Sequence, residues 1–181
     1  MKNSKSIIIG ISLLVLAGAI AWPYLQFDKS EEGGRVSALD GRLSLDLPPG
    51  WKTVESLNPL ANLKVGDPIA DVYLIVVSEK KSEATESTLA GYSRAVRERL
   101  KASLKSSSER GPWNISVGSH RAMRYEIPGV SQDGMDLIYL HTVVETPEYF
   151  HQVVGWAEAP NYLRNQNKLR KVSDGLREDG R

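Results

Sequence analysis

The chain contains no cysteine. Disulfides, thiolate metal sites, cysteine nucleophiles and lipid attachment through cysteine are therefore excluded. Histidine is scarce, three in 181 residues, which leaves few groups for metal binding or for base chemistry near neutral pH. No sign of charge is in excess. Against 23 Lys and Arg stand 22 Asp and Glu, a net charge of +1, so the overall balance does not point to nucleic acid. No Gly-x-Ser-x-Gly elbow, phosphate loop or dinucleotide fingerprint occurs. What is present, 41% hydrophobic and 25% charged residues, is the composition of one ordinary globular domain.

The longest apolar run is at the N-terminus. Lys2 and Lys5 precede it, and Asp28, Glu31 and Glu32 follow it. Positive charge ahead and acid behind predict an N-terminus inside and the remainder outside. Ser6 to Trp22 is 17 residues, roughly 25 Å as a helix and at the lower limit for spanning a bilayer. Two readings stand. In the first, Ile7, Ile8, Ile9, Leu13, Leu14 and Leu16 form a retained membrane anchor, with Trp22 and Tyr24 at the outer interface and Pro23 ending the helix. In the second, Ala19-Ile20-Ala21 is a small-x-small signal-peptidase site and the segment is removed. Either way the folded part is expected in the periplasm, tethered to a bacterial inner membrane or released after Ala21. Residues 1–27 are thus the signal anchor or signal peptide, 28–37 a flexible charged linker, 38–178 the domain and 179–181 a tail.

Within the domain, Leu43, Leu45 and Leu47 alternate with polar residues and predict a half-buried strand, stopped by Pro48-Pro49-Gly50. Val72–Val77 is continuously apolar, which predicts a central strand covered on both faces. Over 85–107, Leu89, Tyr92, Val96, Leu100 and Leu104 make one helical stripe, with Ser87 or Thr88 as N-cap. Gly111-Pro112 is expected to end that segment. Two strands joined by Gly118-Ser119 follow, the second ending at Pro128-Gly129. A long hairpin over 135–157 turns at Thr146-Pro147, and a helix over 161–177 closes the chain, with Tyr162, Leu169, Val172 and Leu176 on one stripe. The expected fold is α+β: an α/β/α sandwich whose mostly antiparallel sheet carries helices on both faces, preceded by the N-terminal hydrophobic helix.

Several of these segments resemble a known family. Gly41-Arg42-Leu43-Ser44-Leu45-Asp46-Leu47-Pro48-Pro49-Gly50-Trp51 is similar to the opening strand and turn of PsbP-like domains, the photosystem II extrinsic proteins and their bacterial relatives, including DcrB-like periplasmic proteins. Gly118-Ser119-His120-Arg121-Ala122 with Tyr125 resembles their middle hairpin. Tyr139-Leu140-His141-Thr142 with Tyr149–Trp156 resembles their final one. Gly175-Leu176-Arg177 stands where many members have Ser-Phe-Arg. The resemblance covers roughly residues 39–178. It implies an α/β/α sandwich and a binding or assembly module rather than an enzyme, with partners of the kind those domains hold: photosystem subunits, a small GTPase, or secretion-effector segments.

Candidate sites follow from the residues. Residues 93–110 carry six basic and two acidic side chains, whereas 28–90 carries seven basic and eleven acidic. Arg94, Arg97, Arg99 and Lys101 therefore form an expected basic helix face, suited to a membrane-associated protein partner or to anionic lipid. The competing reading is a solvated face whose arginine stems cover apolar edges. Trp51, Tyr139 and Trp156 are candidates to line a pocket for a small apolar ligand. His141 and His151 lie on the two strands of the final hairpin. An even loop puts them on opposite faces of the sheet, and an odd loop puts both on one face, near Glu145 or Glu148, as a metal-dependent enzyme would require. The primary expectation is a non-catalytic, membrane-tethered binding domain with a protein partner, no cofactor, no metal and no nucleic acid. A carrier of an apolar ligand is the first alternative and the metal enzyme the second.

Overall fold

The computed structural model describes residues 34–178 apart from Asp40. The expected anchor over 7–22 and the tail 179–181 lie outside the described residues. Among the described residues, no helix is long and apolar enough to cross a membrane.

The apolar run at Val72–Val77 forms the first two-thirds of β5 (Val72–Lys80). Side chains alternate faces along a strand. Val72, Leu74 and Val76 enter one core cluster, while Ile75 and Val77 enter another. The strand is thus covered on both sides, as its continuous apolar sequence predicts. β4 (Leu63–Asp67) pairs with one edge of β5 and β10 (Tyr149–Glu158) with the other. The sheet continues through β9 (Asp136–Glu145) to β8 (His120–Val130). β6 (Ser106–Ser107) and β7 (Arg110–Val117) then pair with successive parts of β8. β3 (Lys52–Thr53) closes the opposite edge. All eight strands pair antiparallel.

The Leu43/Leu45 strand is β2 (Leu43–Asp46), and it does not join this sheet. It lies between β1 (Arg35–Ala38) and β11 (Leu176–Glu178) in a separate three-stranded sheet. Two expectations change here. Arg35 to Ser37, read as linker, is strand, because Val36 and Ala38 pack on the core. Leu176, read as helix, is strand, because α2 (Ala159–Asp174) stops at Gly175. Pro160 sits in the first turn of that helix as predicted.

The first helix, α1 (Leu89–Ala102), is capped by Thr88, whose Oγ1 accepts from the Gly91 N–H at 3.1 Å. It ends earlier than the stripe predicts. The N–H groups of Lys105 and Ser108 donate to carbonyls of Val130 and Pro128, at 2.8 and 2.9 Å, so the chain leaves the helix for the edge of β8. That bond from Ser108 also lets β8 run on past Pro128, where the sequence predicts a stop. Gly111-Pro112, expected as a terminator, lies inside β7, where the register shifts between Arg110 and Trp113. An edge strand tolerates a proline there.

The helices cover opposite faces. Leu100 of α1 packs with Tyr125, Ile127 and Tyr139, while Tyr162, Leu169 and Val172 of α2 pack with Leu140, Val144 and Val153. β2 and β11 extend the second layer. The sandwich prediction holds, with a small second sheet that the sequence reading does not contain.

Candidate functional site

The register of the final hairpin decides the fate of its two histidines. Glu145 pairs with Phe150, a four-residue turn, so His141 pairs with Val154 and His151 with Val144. Partner positions share a face, and 151 is three residues from 154. His141 and His151 therefore point to opposite faces of the sheet and cannot ligate one metal. Among the described residues, no three His, Asp or Glu side chains cluster as a metal site.

On the α1 face, His141 is fully buried and its Nδ1 has no hydrogen-bond partner. Burial and the nearby Arg97 guanidinium push its pKa down to about 3, so the ring is neutral at any ordinary pH. It lines a cavity of about 30 Å³ with Gln152, Arg99 and Leu100. Next to it, Gln152 donates to the Tyr92 hydroxyl at 2.8 Å, and that hydroxyl donates to Glu79 at 2.7 Å. Burial, with the Glu79 carboxylate, raises the Tyr92 pKa.

The four basic residues expected on one open face divide. Arg94 and Arg99 are exposed. Arg97 is buried, with its Cζ 3.7 Å from the centroid of the Tyr125 ring and Nη1 2.6 Å from Glu109. It belongs to the interior because its long stem lets the guanidinium reach round the helix onto the sheet. Lys101 pairs with Glu98 at 3.0 Å and Glu109 at 3.6 Å, and the Glu98 contact raises its pKa. The exposed basic surface of α1 is thus narrower than the sequence suggests.

The expected apolar pocket does not assemble. Trp51 is buried in the cluster under α2, whereas Tyr139 and Trp156, paired in register, belong to the cluster under α1. The sheet separates them. Trp51 caps the core, and Trp156 packs against Tyr73 at 5.8 Å. An open groove of about 450 Å³ lies beside Ser106–Ser108, Pro128 and Leu137, and it contains none of the expected site residues.

Two polar clusters escape sequence reading. In the first, His151 Nδ1 lies 2.8 Å from Ser78 Oγ, and Nε2 lies 3.1 Å from Glu178 Oε2 and 3.4 Å from Thr146 Oγ1. Burial of the Glu178 carboxyl is outweighed by hydrogen bonds from Thr146 and His151, and its pKa falls. An ionised Glu178 requires Nε2–H as donor, so Nδ1 accepts from the Ser78 hydroxyl. Burial holds the His151 pKa down against the pull of Glu178. In the second cluster, buried Glu126 accepts from Tyr162 at 3.0 Å and Arg170 at 2.7 Å, tying β8 to α2. Its pKa is lowered: Arg170, Tyr162 and Gln166 outweigh the effect of burial. Arg124, also buried, joins Thr142 at 2.9 Å to Ser173 and Asp174. The one sequence signal for this cluster is a pair of charges, Arg124 and Glu126, spaced by two between the apolar Met123, Tyr125 and Ile127. Both clusters join elements of different layers, and each histidine or carboxylate in them is engaged with a fixed neighbour.

No family model and no curated protein matches this chain. Solved structures do. The cyanobacterial PsbP, CyanoP, of Synechocystis sp. PCC 6803 superposes with a TM-score of 0.62 at 11% identity, covering 90% of this chain and 99% of that one. LpqN of Mycobacterium tuberculosis, described as involved in cell envelope biogenesis, gives 0.60 at 10% identity over 84% and 88%. The Ran-binding protein Mog1p of Saccharomyces cerevisiae gives 0.56 at 9% identity over 82% and 96%. The resemblance read from the strand motifs is thus a resemblance of fold.

Proposed function

From this PsbP-like fold we propose that the chain is a non-catalytic binding or assembly domain. It is held on the outer side of a bacterial inner membrane by the apolar segment over 7–22, and it recruits or stabilises a protein partner. The observation that carries this reading is the engagement of the buried charged groups and of His151. His151, Glu126, Arg97 and Arg124 each bind a neighbour from another element, and the two hairpin histidines face apart. That leaves the surface, rather than a pocket of reactive groups, as the working part of the molecule. The fold shared with Mog1p, a Ran-binding protein, and with LpqN, involved in cell envelope biogenesis, supports the same class of role.

The test is a crosslinked pull-down from native membranes, with the full chain and a version beginning at Asp28 as baits. Enrichment of one protein by both baits is the expected result and makes the folded domain an adaptor. Enrichment by neither removes the reading.

A further inference from the structure

We propose that the sheet surface beside α2, where Arg110 and Arg170 stand with Trp113, docks an acidic segment of a partner protein through a carboxylate that has an apolar side chain next to it. The proposal deepens the binding reading above and rests on it. The evidence begins at one carboxylate. Glu126 is buried, and its Oε1 accepts from Tyr162, Gln166 and Arg170. Its Oε2 lies 3.8 Å from Nη1 of Arg110, beyond hydrogen-bond reach. Two guanidiniums thus share a single negative charge. The neighbouring acid, Asp174, is held by Arg124. One positive charge is left in surplus.

Most donors of the two arginines are unused. The Arg110 side chain is 69% exposed and makes no hydrogen bond among the described residues. Arg170, 40% exposed, gives Glu126 one N–H from Nη2, and its Nη1 has no partner among the described residues. A guanidinium is a planar fork of N–H donors that matches the two oxygens of a carboxylate. Register sets an apolar surface beside them. Arg110 pairs with Glu126 and Trp113 with Arg124, so both β7 side chains lie on the α2 face, two residues apart along β8. Trp113 is 41% exposed, and Ile115, next on that face, is half-buried.

Tryptophan and arginine are the residues that carry most of the binding energy at protein interfaces. The exposed face of α1 has Arg94 and Arg99 but no large exposed apolar side chain, whereas here cation and indole coincide. Charge then selects the occupant. A carboxylate answers the surplus positive charge, and an apolar neighbour covers the indole. The shape selects a protein segment over a lipid surface. Both arginines converge on a Glu126 side chain that is 5% exposed, so their charged ends are drawn inward, where a single carboxylate on an extended segment reaches them and a flat layer of headgroups does not.

The probe is a synthetic peptide with a glutamate-leucine-glutamate centre and capped ends, set against the same peptide with glutamine in place of glutamate. The full chain is held in nanodiscs of zwitterionic lipid, and its tryptophan indole N–H signals are followed by NMR, with that of Trp113 assigned by its loss in Trp113→Phe. The expected result is a saturable shift of the Trp113 signal with the glutamate peptide, weakened by salt and about fivefold weaker in affinity for Arg110→Gln. No shift at millimolar peptide, an equal shift from the glutamine peptide, or an unchanged affinity in R110Q overturns the proposal. A shift that appears without peptide when the lipid is made anionic also overturns it, since the surface then meets lipid. So does one that grows with protein concentration alone, since the occupant is then a second copy. Arg110→Glu enters the pull-down above as a further bait. A partner captured equally by wild-type and R110E chains overturns this surface and leaves the binding domain standing. A partner captured by neither overturns the binding domain itself.

Discussion

Nε2 of His151 lies 3.1 Å from the carboxylate of Glu178, the third residue of β11, while Nδ1 of the same ring lies 2.8 Å from Ser78 in β5. One imidazole thus clasps the small sheet onto the large one. Its two nitrogens play different roles, and that division holds as long as the ring is neutral.

The clasp makes stability depend on pH. His151 and His141 both have folded pKa values below the ordinary 6.5, with His141 at about 3. A depressed histidine means that the unfolded chain takes up a proton before the folded one does, so stability falls as pH drops below about 6.5. Glu178, also depressed, adds a loss in the same direction below its unfolded value of 4.5. Urea midpoints measured from pH 8 to pH 4 should fall steadily below about pH 6.5, each histidine contributing at most about 1.4 kcal/mol per pH unit. His141→Leu should flatten the slope, and a midpoint independent of pH would sink the account.

The divided basic face predicts a divided response to charge reversal. Arg97→Glu places a carboxylate over the Tyr125 ring and beside Glu109. It should cost about 3 kcal/mol in urea unfolding, the scale of breaking a buried pair. Arg94→Glu and Arg99→Glu should change stability by less than about 0.5 kcal/mol. The two exposed sites are therefore the ones at which loss of partner capture reports on binding rather than folding.

Glu126 predicts a third outcome. Glu126→Gln removes the charge facing Arg170 while keeping the shape. Because Arg170 is partly exposed, its stranded charge is partly solvated, and the loss should be about 2 kcal/mol. The Arg170→Gln partner change should then cost less in the E126Q background than alone, a coupling that a double-mutant cycle reads directly.

Packing between β10 and α2 gives a fourth. A Cβ added at Gly155 would stand 2.7 Å from Leu169 Cδ2, closer than non-bonded carbons approach. Gly155→Ala should destabilise by about 1–3 kcal/mol. Leu169→Val on top of it should restore part of that loss, although the valine change alone is destabilising. Simple additivity of the two would mean that helix and strand are not in contact there.

Much of the main sheet is legible in the sequence because its evidence is local. The run Val72–Val77 needs both faces covered wherever it is placed, and Gly118-Ser119 fixes a turn from two residues alone. The membership of β2 is not local. Leu43 and Leu45 signal a strand, but its pairing to β11 depends on residues more than 130 positions away. The candidate site is legible in smaller measure. Helical spacing assigns Arg97 to the polar face because it counts Cα positions, whereas the guanidinium sits several bonds further on, over Tyr125. Trp51, a pocket candidate in the sequence, is buried in the core under α2, because spacing cannot say on which side of a sheet a residue falls. The Ser78, His151 and Glu178 cluster joins positions 73 and 27 residues apart, and no motif links them.

The small sheet takes its outer strands from the two ends of the described chain, β1 at residues 35–38 and β11 at 176–178, on either side of β2. During synthesis β1 and β2 emerge together, but the third member of their sheet is made more than 130 residues after β2. The nascent domain therefore presents β2 with one side unfilled until residues 176–178 have been made. A chain cut short before residue 176 loses the clasp at Glu178 and that entire edge together. Synthesis of β11 and closure of the domain are, for this topology, the same event.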